Sequence, residues 1–402
     1  MERAEIVIIG GGLIGPAIAL ALTGGGLRPV LIDAQAVEVR KDPEFDGRAY
    51  AVTLASQRLL NRIGVWEDIA PNAQPISDIH VSEGGAPAPL LHFDPAELDE
   101  GAFGWIVEDR WLRNALLNQM QDADIPHYAS MEVGGIERGT ASAEIALPDG
   151  QVLHADLVIA ADGRRSRLAR SAGIRRIGWS YDQTGLVNAI AHTEPHDGVA
   201  HQSFFPGGPF AVLPLPGNRS SLVWSERREA ASRLAGLEDE AFIAEVARRI
   251  GGRLGEISLI GRRWAYPLDL TLATRFVDHR LALIGDAAHG VHPIAGQGMN
   301  LGLRDVAALA ETLADASRLG EDLGSLPVLE RYQRWRRFDT TAMALGMDGL
   351  NRLFSNNNSA LSAVRQAGLR VINGLATPRQ TLMREAIGAQ GTVPKLLKGR
   401  PL

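Results

Sequence analysis

The stretch Glu5–Ala34, EIVIIGGGLIGPAIALALTGGGLRPVLIDA, decides the fold. Residues 5–9 form a short apolar run of buried-strand length. Gly10-x-Gly12-x-x-Gly15 follows and opens an Ala- and Leu-rich helix over about 14–23, and "RPVLIDA" (28–34) is a second buried strand. Strand, helix and strand in that order predict a β-α-β unit with a parallel crossover. The first glycine permits the tight turn, the second lets backbone approach a pyrophosphate, and the third lets helix and strand pack closely. The helix N-terminus offers free N–H groups and partial positive charge to phosphates. Asp33 ends the second strand 18 residues after Gly15, close to the roughly 20 expected for an acid on ribose hydroxyls. Its charge disfavours a 2′-phosphate, so NAD or FAD is expected here and NADP is not.

The rest of the 402 residues must then supply a second wall, because the chain is too long for one ordinary core. The composition is that of a soluble globular protein, and the 44 glycines suit many tight turns. The net charge of −6 argues against a nucleic-acid partner. The single basic aromatic cluster, Arg331–Phe338, reads as a surface helix with buried aromatics. With no cysteine, disulfides, thiol catalysis and thiolate metal sites are excluded, and a cytoplasmic location fits. The longest uncharged run, Ile6–Thr23, is broken by glycines and a proline, so it reads as strand, turn and helix and not as a membrane span.

Two more acid-terminated strands appear downstream, "ADLVIAADG" (155–163) and "RLALIGDAA" (280–288). Between them, 185–270 holds turn-bounded runs expected to form antiparallel strands with one buried face. From about 299 the chain reads mostly helical, with a turn at "SNNNS" (355–359). The expected organisation is a discontinuous cofactor domain (1–75, 100–180 and 275–345), a β-rich substrate domain (76–99 and 181–274) and a C-terminal helical region (346–402). Asp162-Gly163 and Gly285-Asp286, far from the N-terminal fingerprint, suit an extended dinucleotide. An acid near 286 can accept hydrogen bonds from a ribityl chain. A helix starting near Gly298 can aim its N–H groups at an anionic ring. These features favour FAD over NAD.

GxGxxG at 10–15, DG at 162–163 and GD at 285–286 resemble the three fingerprints of the class A FAD-dependent aromatic hydroxylases, related to 4-hydroxybenzoate hydroxylase. Three longer stretches resemble a narrower group, the ubiquinone-biosynthesis hydroxylases that act on polyprenylated phenols. They are "FDGRAYAVTLASQRLL" (45–60), "GPFAVLPLPGNRSSLVWS" (208–225) and "HPIAGQGMNLGLRDVAAL" (292–309). The resemblance spans essentially the whole chain, and the last stretch is its most specific part. Asp33 stands where Glu is commoner, and "GDAAH" follows the wider class.

The resemblance implies an α/β fold: a Rossmann-like FAD domain of the GR2, hydroxybenzoate-hydroxylase-like type, with an antiparallel β-rich substrate domain and C-terminal helices. It assigns Gly10, Gly12, Gly15 and Asp33 to the ADP half of FAD, with Arg48 and Arg110 near the flavin, pyrophosphate or ribose. Asp162, Gly285 and Asp286 would serve the ribityl side, and Pro293, Gly296, Gln297, Gly298, Met299 and Asn300 the flavin edge. The bland readings are local ion pairs for Arg48 (with Asp46) and Arg110 (with Glu108 or Asp109), and a turn acid for Asp162. Phe204, Phe205, Phe210 and Trp224 are candidates for a substrate wall, or equally for sheet core. His289 and His292 have ligand-like spacing but no third ligand nearby, so no metal is expected. Ser166 lacks a nucleophile-elbow pattern, and no catalytic residue is assigned.

The implied activity is ring hydroxylation of a polyprenylated phenol through a flavin C4a-hydroperoxide, with NAD(P)H as electron donor and O2 as co-substrate. Hydroxylation of a soluble aromatic acid is the alternative reaction, and a non-catalytic flavoprotein subunit of a quinone-synthesis complex is the alternative class. The C-terminal segment places arginines among helically spaced apolar residues, which suits peripheral docking on a membrane or a partner, or oligomer contacts.

Overall fold

The computed structural model describes residues 2–84, 89–97, 102–292, 296–355, 368–369, 372–388 and 391–402. The opening stretch folds as its spacing predicts, into a strand Glu2–Ile9, a helix Ile14–Gly24 and a strand Pro29–Ile32. The two strands pair in parallel, Ile8 against Leu31. On its other side the first strand pairs in parallel with Val152–Ala160, which in turn pairs with Leu281–Leu283. All three acid-terminated runs therefore lie in one sheet, with their carboxyl ends on the same edge. The sheet is apolar on both faces because helices cover both. The helix Ile14–Gly24 is buried from Gly15 to Leu22, nearly all round. It packs between the sheet and the 22-residue helix Gln297–Arg318, which is why its sequence shows no polar stripe.

A second eight-stranded sheet fills the other layer. Two 17-residue strands dominate it, Arg176–His192 and Ile257–Ala273. Arg219–Arg227, Gly208–Leu215, Val199–Phe205, Asp78–Glu83 and Leu91–Phe93 follow in spatial order. The antiparallel expectation for 185–270 fits, except that this region also contains two helices, Arg228–Ala235 and Asp239–Ile250. Their apolar residues Ala231, Leu234, Phe242, Val246 and Ile250 cover one face of the sheet. The other face, with Ala189, Ala200 and Leu215, meets the three-stranded sheet of Ala49–Thr53, Gly104–Glu108 and Gln74–Pro75.

The boundary expected between 180 and 181 falls inside Arg176–His192, and that between 345 and 346 inside the helix Leu326–Phe354. The helix runs through its boundary unbroken, whereas the strand carries a register shift between Ser180 and Gln183, with Asp182 at φ +53°. The basic cluster at 331–338 also departs from expectation. Tyr332 and Arg336 are buried, whereas Phe338 is 82% exposed. The helix is thus half-core, with the Tyr332 hydroxyl donating to the Leu283 carbonyl at 2.8 Å. Of the expected turn at 355–359, only Ser355 lies within the described residues. Among the described residues no helix is long and apolar enough to cross a membrane.

Candidate functional site

The carboxyl edge of the first sheet brings the three fingerprints together. Gly10 has φ +114°, and a Cβ there would strike the Ala161 carbonyl oxygen, next to Asp162. A Cβ on Gly15 would strike the Gly10 carbonyl oxygen. A Cβ on Gly302 would come within 2.7 Å of Ile14, and one on Gly285 within 3.3 Å of the same side chain. These glycines exist for close packing of the first helix against the first strand, the Gly285-Asp286 turn and the helix Gln297–Arg318. Gly12 and Gly298 differ. A Cβ on either would meet nothing within 4 Å. They border an open groove at the starts of two helices. The first helix has no side-chain cap, nor has the second, which begins after Gly296 in the left-handed conformation (φ +63°). No side chain caps either helix start, so backbone N–H groups there suit an anionic or carbonyl-rich ligand.

Asp33 is buried at the end of its strand and takes Arg40 through two hydrogen bonds, 2.8 and 3.0 Å. Burial opposes its ionisation, yet the Arg40 guanidinium and the Gln35 and Gly11 amides hold its carboxyl below the usual range. Arg48 bonds Asp46 at 2.7 Å and Asp109 at 2.9 Å, and lies over the Trp264 ring. Arg110 bonds Glu108 at 2.7 Å and the Pro43 carbonyl, and stacks on Trp111. The bland ion-pair partners of both arginines are therefore real contacts. Asp109 is shared with Arg113, and Glu108 with Arg219, so the arginines are held in two neighbouring ion-pair groups.

Asp162 Oδ2 accepts from the Arg167 and Leu168 amides, as a turn acid would. Its Oδ1 is buried without a hydrogen-bond partner, a group that a ligand hydroxyl could satisfy. Asp286 is half exposed, with Arg164 Nε at 3.9 Å from its carboxylate. Arg176 donates to the Ala287 and Asp286 carbonyls at 2.8 and 3.1 Å, fixing that turn.

Asn300 lies in the first turn of the helix Gln297–Arg318. Its side chain is buried and fully committed: Oδ1 accepts from Ser56 and Thr53, and Nδ2 donates to the Ala51 and Gly296 carbonyls. It clamps the helix start to the strand Ala49–Thr53, and only its backbone remains for a ligand. Met299 packs against the main core, and Gln297 and Gly298 lie in the first turn. Pro293 lies outside the described residues.

Phe210 and Trp224 face the helices Arg228–Ala235 and Asp239–Ile250, in a core with Phe242 and Val246. Their sheet-core reading is what the structure shows, since strand alternation turns both away from the groove side. Phe204 turns to the opposite face and stacks on Phe354, with ring centroids 4.1 Å apart.

Several residues near the groove carry no motif of their own. His292 is buried, with Nε2 at 3.3 Å from Gln183 Oε1, and its ring meets Tyr181 edge-on. Gln183 Oε1 also accepts from Asn351 at 2.9 Å. Burial pushes the His292 pKa down to about 4, so the ring is neutral near pH 7. Tyr50, on the strand Ala49–Thr53, is held protonated by burial and by Asp109. Tyr50 and His292 lie within the stretches 45–60 and 292–309, whereas Tyr181, Gln183 and Asn351 lie outside both.

The arrangement fits FAD on its own observations: a groove bordered by two side-chain-free glycines, two uncapped helix starts and a buried carboxylate oxygen awaiting a donor. Residues 3–343 match the FAD binding domain family. The chain is 43% identical over 403 residues to the ubiquinone hydroxylase UbiL of Rhodospirillum rubrum, covering 99% of this chain and 94% of the relative. It is 36% identical over 394 residues to the 3-demethoxyubiquinol 3-hydroxylase of Escherichia coli, covering 96% and 99%. Among solved structures, the p-nitrophenol 4-monooxygenase PnpA of Pseudomonas putida DLL-E4 superposes with TM-score 0.81 at 20% identity, covering 98% of this chain and all of the other.

Proposed function

The chain belongs to the FAD binding domain family and, within it, to the ubiquinone-biosynthesis hydroxylases, and we propose that it hydroxylates the ring of a polyprenylated phenol. The observation that carries this reading is the meeting of three distant fingerprints at one groove, with Gly12 and Gly298 leaving room for a planar group. Bound FAD supplies two-electron chemistry with NAD(P)H and O2, placing one oxygen atom on the ring and the other in water.

This chain's residues position the reaction. Gly10 and Gly15 set the turn, and Gly12 and the first helix start would receive the pyrophosphate. Asp33, already ionised against Arg40, would accept from ribose hydroxyls. Asp162 Oδ1 and Asp286 are the acceptors for a polyol chain. The helix start at Gln297–Gly298 would present N–H dipoles to the ring edge, favouring negative charge there. Arg48 and Arg110, held by their carboxylates, would add positive potential behind the groove. Neutral His292, beside Gln183, offers a buried ring nitrogen (Nδ1) without a partner, suited to orienting a phenolic hydroxyl. Phe204 and Phe354 supply apolar surface for ring or prenyl groups. Exposed Leu345, Leu350 and Leu353 on the helix Leu326–Phe354, and Leu375 and Leu382 before and on the helix Ala376–Ala386, suit peripheral contact with a membrane that holds such a substrate.

Reconstitution tests the reading. The purified protein should retain one FAD per chain, and NAD(P)H oxidation should accelerate when a polyprenylphenol is added. A protein that cannot be loaded with FAD would overturn the flavin assignment. Equal or better turnover of carboxylated soluble phenols would overturn the prenylated substrate.

A further inference from the structure

The outer edge of the second sheet carries a side-chain cluster that hydroxylation does not use. The strand Leu91–Phe93 pairs antiparallel with Asp78–Glu83, which pairs in parallel with Val199–Phe205. In that register His92 lies opposite His80, and His80 lies opposite His201. Residues in register share a face, and Asp78, two before His80, shares it too. The His80 ring centroid is 4.9 Å from that of His92 and 5.3 Å from that of His201. Ile79 alternates to the other face, where it packs with Ile76 and Ile106. The cluster therefore points away from the cofactor side.

We infer that Asp78, His80 and His92 bind a divalent transition-metal ion of the zinc type. One donor atom from each lies within 4.8 Å of the others. Bound zinc at about 2.0–2.1 Å would need donors about 3.3 Å apart, so modest side-chain rotations suffice. Two imidazoles and a carboxylate suit zinc, cobalt or nickel, and not magnesium or calcium, whose preferred donors are oxygens. The remaining coordination positions face solvent, since all three residues are only half-buried. Asp78 Oδ1 and His92 Nε2 are 2.6 Å apart in a hydrogen bond. The ion takes the place of that proton, and the imidazole stays neutral by carrying its proton on Nδ1 instead.

His201 packs edge-on against His80 and orients it. Arg253 is a nearby positive charge that opposes a cation, and Asp78 offsets it. The donors stand on strands, and the His92 amide donates to Asn373 at 3.0 Å, so their backbones are fixed before the ion arrives. Leu91–Phe93 is a three-residue edge strand, and an ion bridging it to its neighbour would fasten the sheet's exposed end.

The test uses FAD-loaded protein, stripped with a chelator and titrated with zinc chloride by calorimetry near neutral pH. The expected result is one ion per chain, with affinity reduced more than about tenfold in H80A, H92A and D78N. Anomalous scattering at the zinc edge should place the ion between the three side chains. D78N preserves shape and hydrogen bonding, so it reports on ligation even if a histidine variant misfolds. No binding by the parent protein, unchanged affinity in D78N, or an anomalous peak elsewhere would each overturn the proposal. Flavin content is recorded throughout and is expected to stay constant.

Discussion

His289 Nε2 and Asp305 Oδ2 lie 2.5 Å apart with both side chains fully buried, and Asp305 Oδ1 accepts from Arg336 Nε at 2.8 Å. Asp305 Oδ2 also accepts from the Gly285 amide at 2.9 Å. One carboxylate thus ties the Gly285-Asp286 turn, the helix Gln297–Arg318 and the long helix Leu326–Phe354 together. Burial alone would raise its pKa, but His289 and Arg336 outweigh that and hold it below the ordinary carboxylate range.

Asp305→Ala should therefore leave Arg336 buried without its main counter-charge and Gly285 without its acceptor. The expected cost is about 3–5 kcal/mol, read from urea midpoints of the FAD-free protein. Because the folded pKa is depressed, this stabilisation is present above the unfolded value of about 3.9 and is lost as pH falls below it. A stability loss under about 1 kcal/mol would show that the network is not an anchor.

The glycines separate into two experimental classes. Gly15→Ala places a Cβ against the Gly10 carbonyl and should destabilise the fold itself. Gly298→Leu enters open space at a helix start, so thermal stability of the FAD-free protein should stay near that of the parent. Its FAD affinity should fall at least about tenfold, the equivalent of about 1.4 kcal/mol. Outright unfolding of Gly298→Leu would mean the groove is misplaced.

Phe204 and Trp224 should behave differently although both are buried aromatics of one sheet. Trp224→Ala opens a cavity among Phe210, Phe242 and Val246 and should cost about 3–5 kcal/mol. Phe204→Ala should raise KM for a prenylated phenol more than it lowers kcat, measured by steady-state kinetics with chains of two lengths. An unchanged KM would remove Phe204 from the substrate wall.

His292 gives a pH signature. Its folded pKa of about 4 lies below the unfolded value of about 6.5. The unfolded chain therefore binds the extra proton, and stability falls as pH drops from about 6.5 to about 4. The loss from this group is about 3 kcal/mol. His292→Gln should flatten the stability profile in that window, as measured by urea unfolding at several pH values. A profile as steep as the parent's would assign the loss to other groups, of which His201 is the first candidate.

The fold was legible where backbone conformation or two-sided burial left a mark. "EIVII" and "RPVLIDA" read as buried strands because covered parallel strands are apolar throughout, and Gly10 and Gly15 were legible because the close approaches they allow exclude any Cβ. The helices at 228–250 were not, because five apolar residues at helical spacing sit among alternating strands. Asn300 was placed at the flavin edge from its motif, while its side chain is spent on Ser56, Thr53 and Ala51; sequence spacing does not say where a side chain on a helix finds its partners. Asp305 lies inside the stretch 292–309 that carries the family resemblance, but Arg336 is 31 positions away and nothing in the sequence joins the two. Asp78, His80 and His92 are joined by strand register, which the sequence does not display.

Oxygen transfer is the most direct test of ring hydroxylation. FAD-loaded protein, NAD(P)H and a polyprenylphenol should be incubated under isotopically labelled O2 and the product analysed by mass spectrometry. The predicted result is a phenol that has gained one labelled oxygen atom, formed only when FAD, reductant and O2 are all present. Reductant consumed entirely to hydrogen peroxide with every phenol tried, or product oxygen drawn from water, would contradict it.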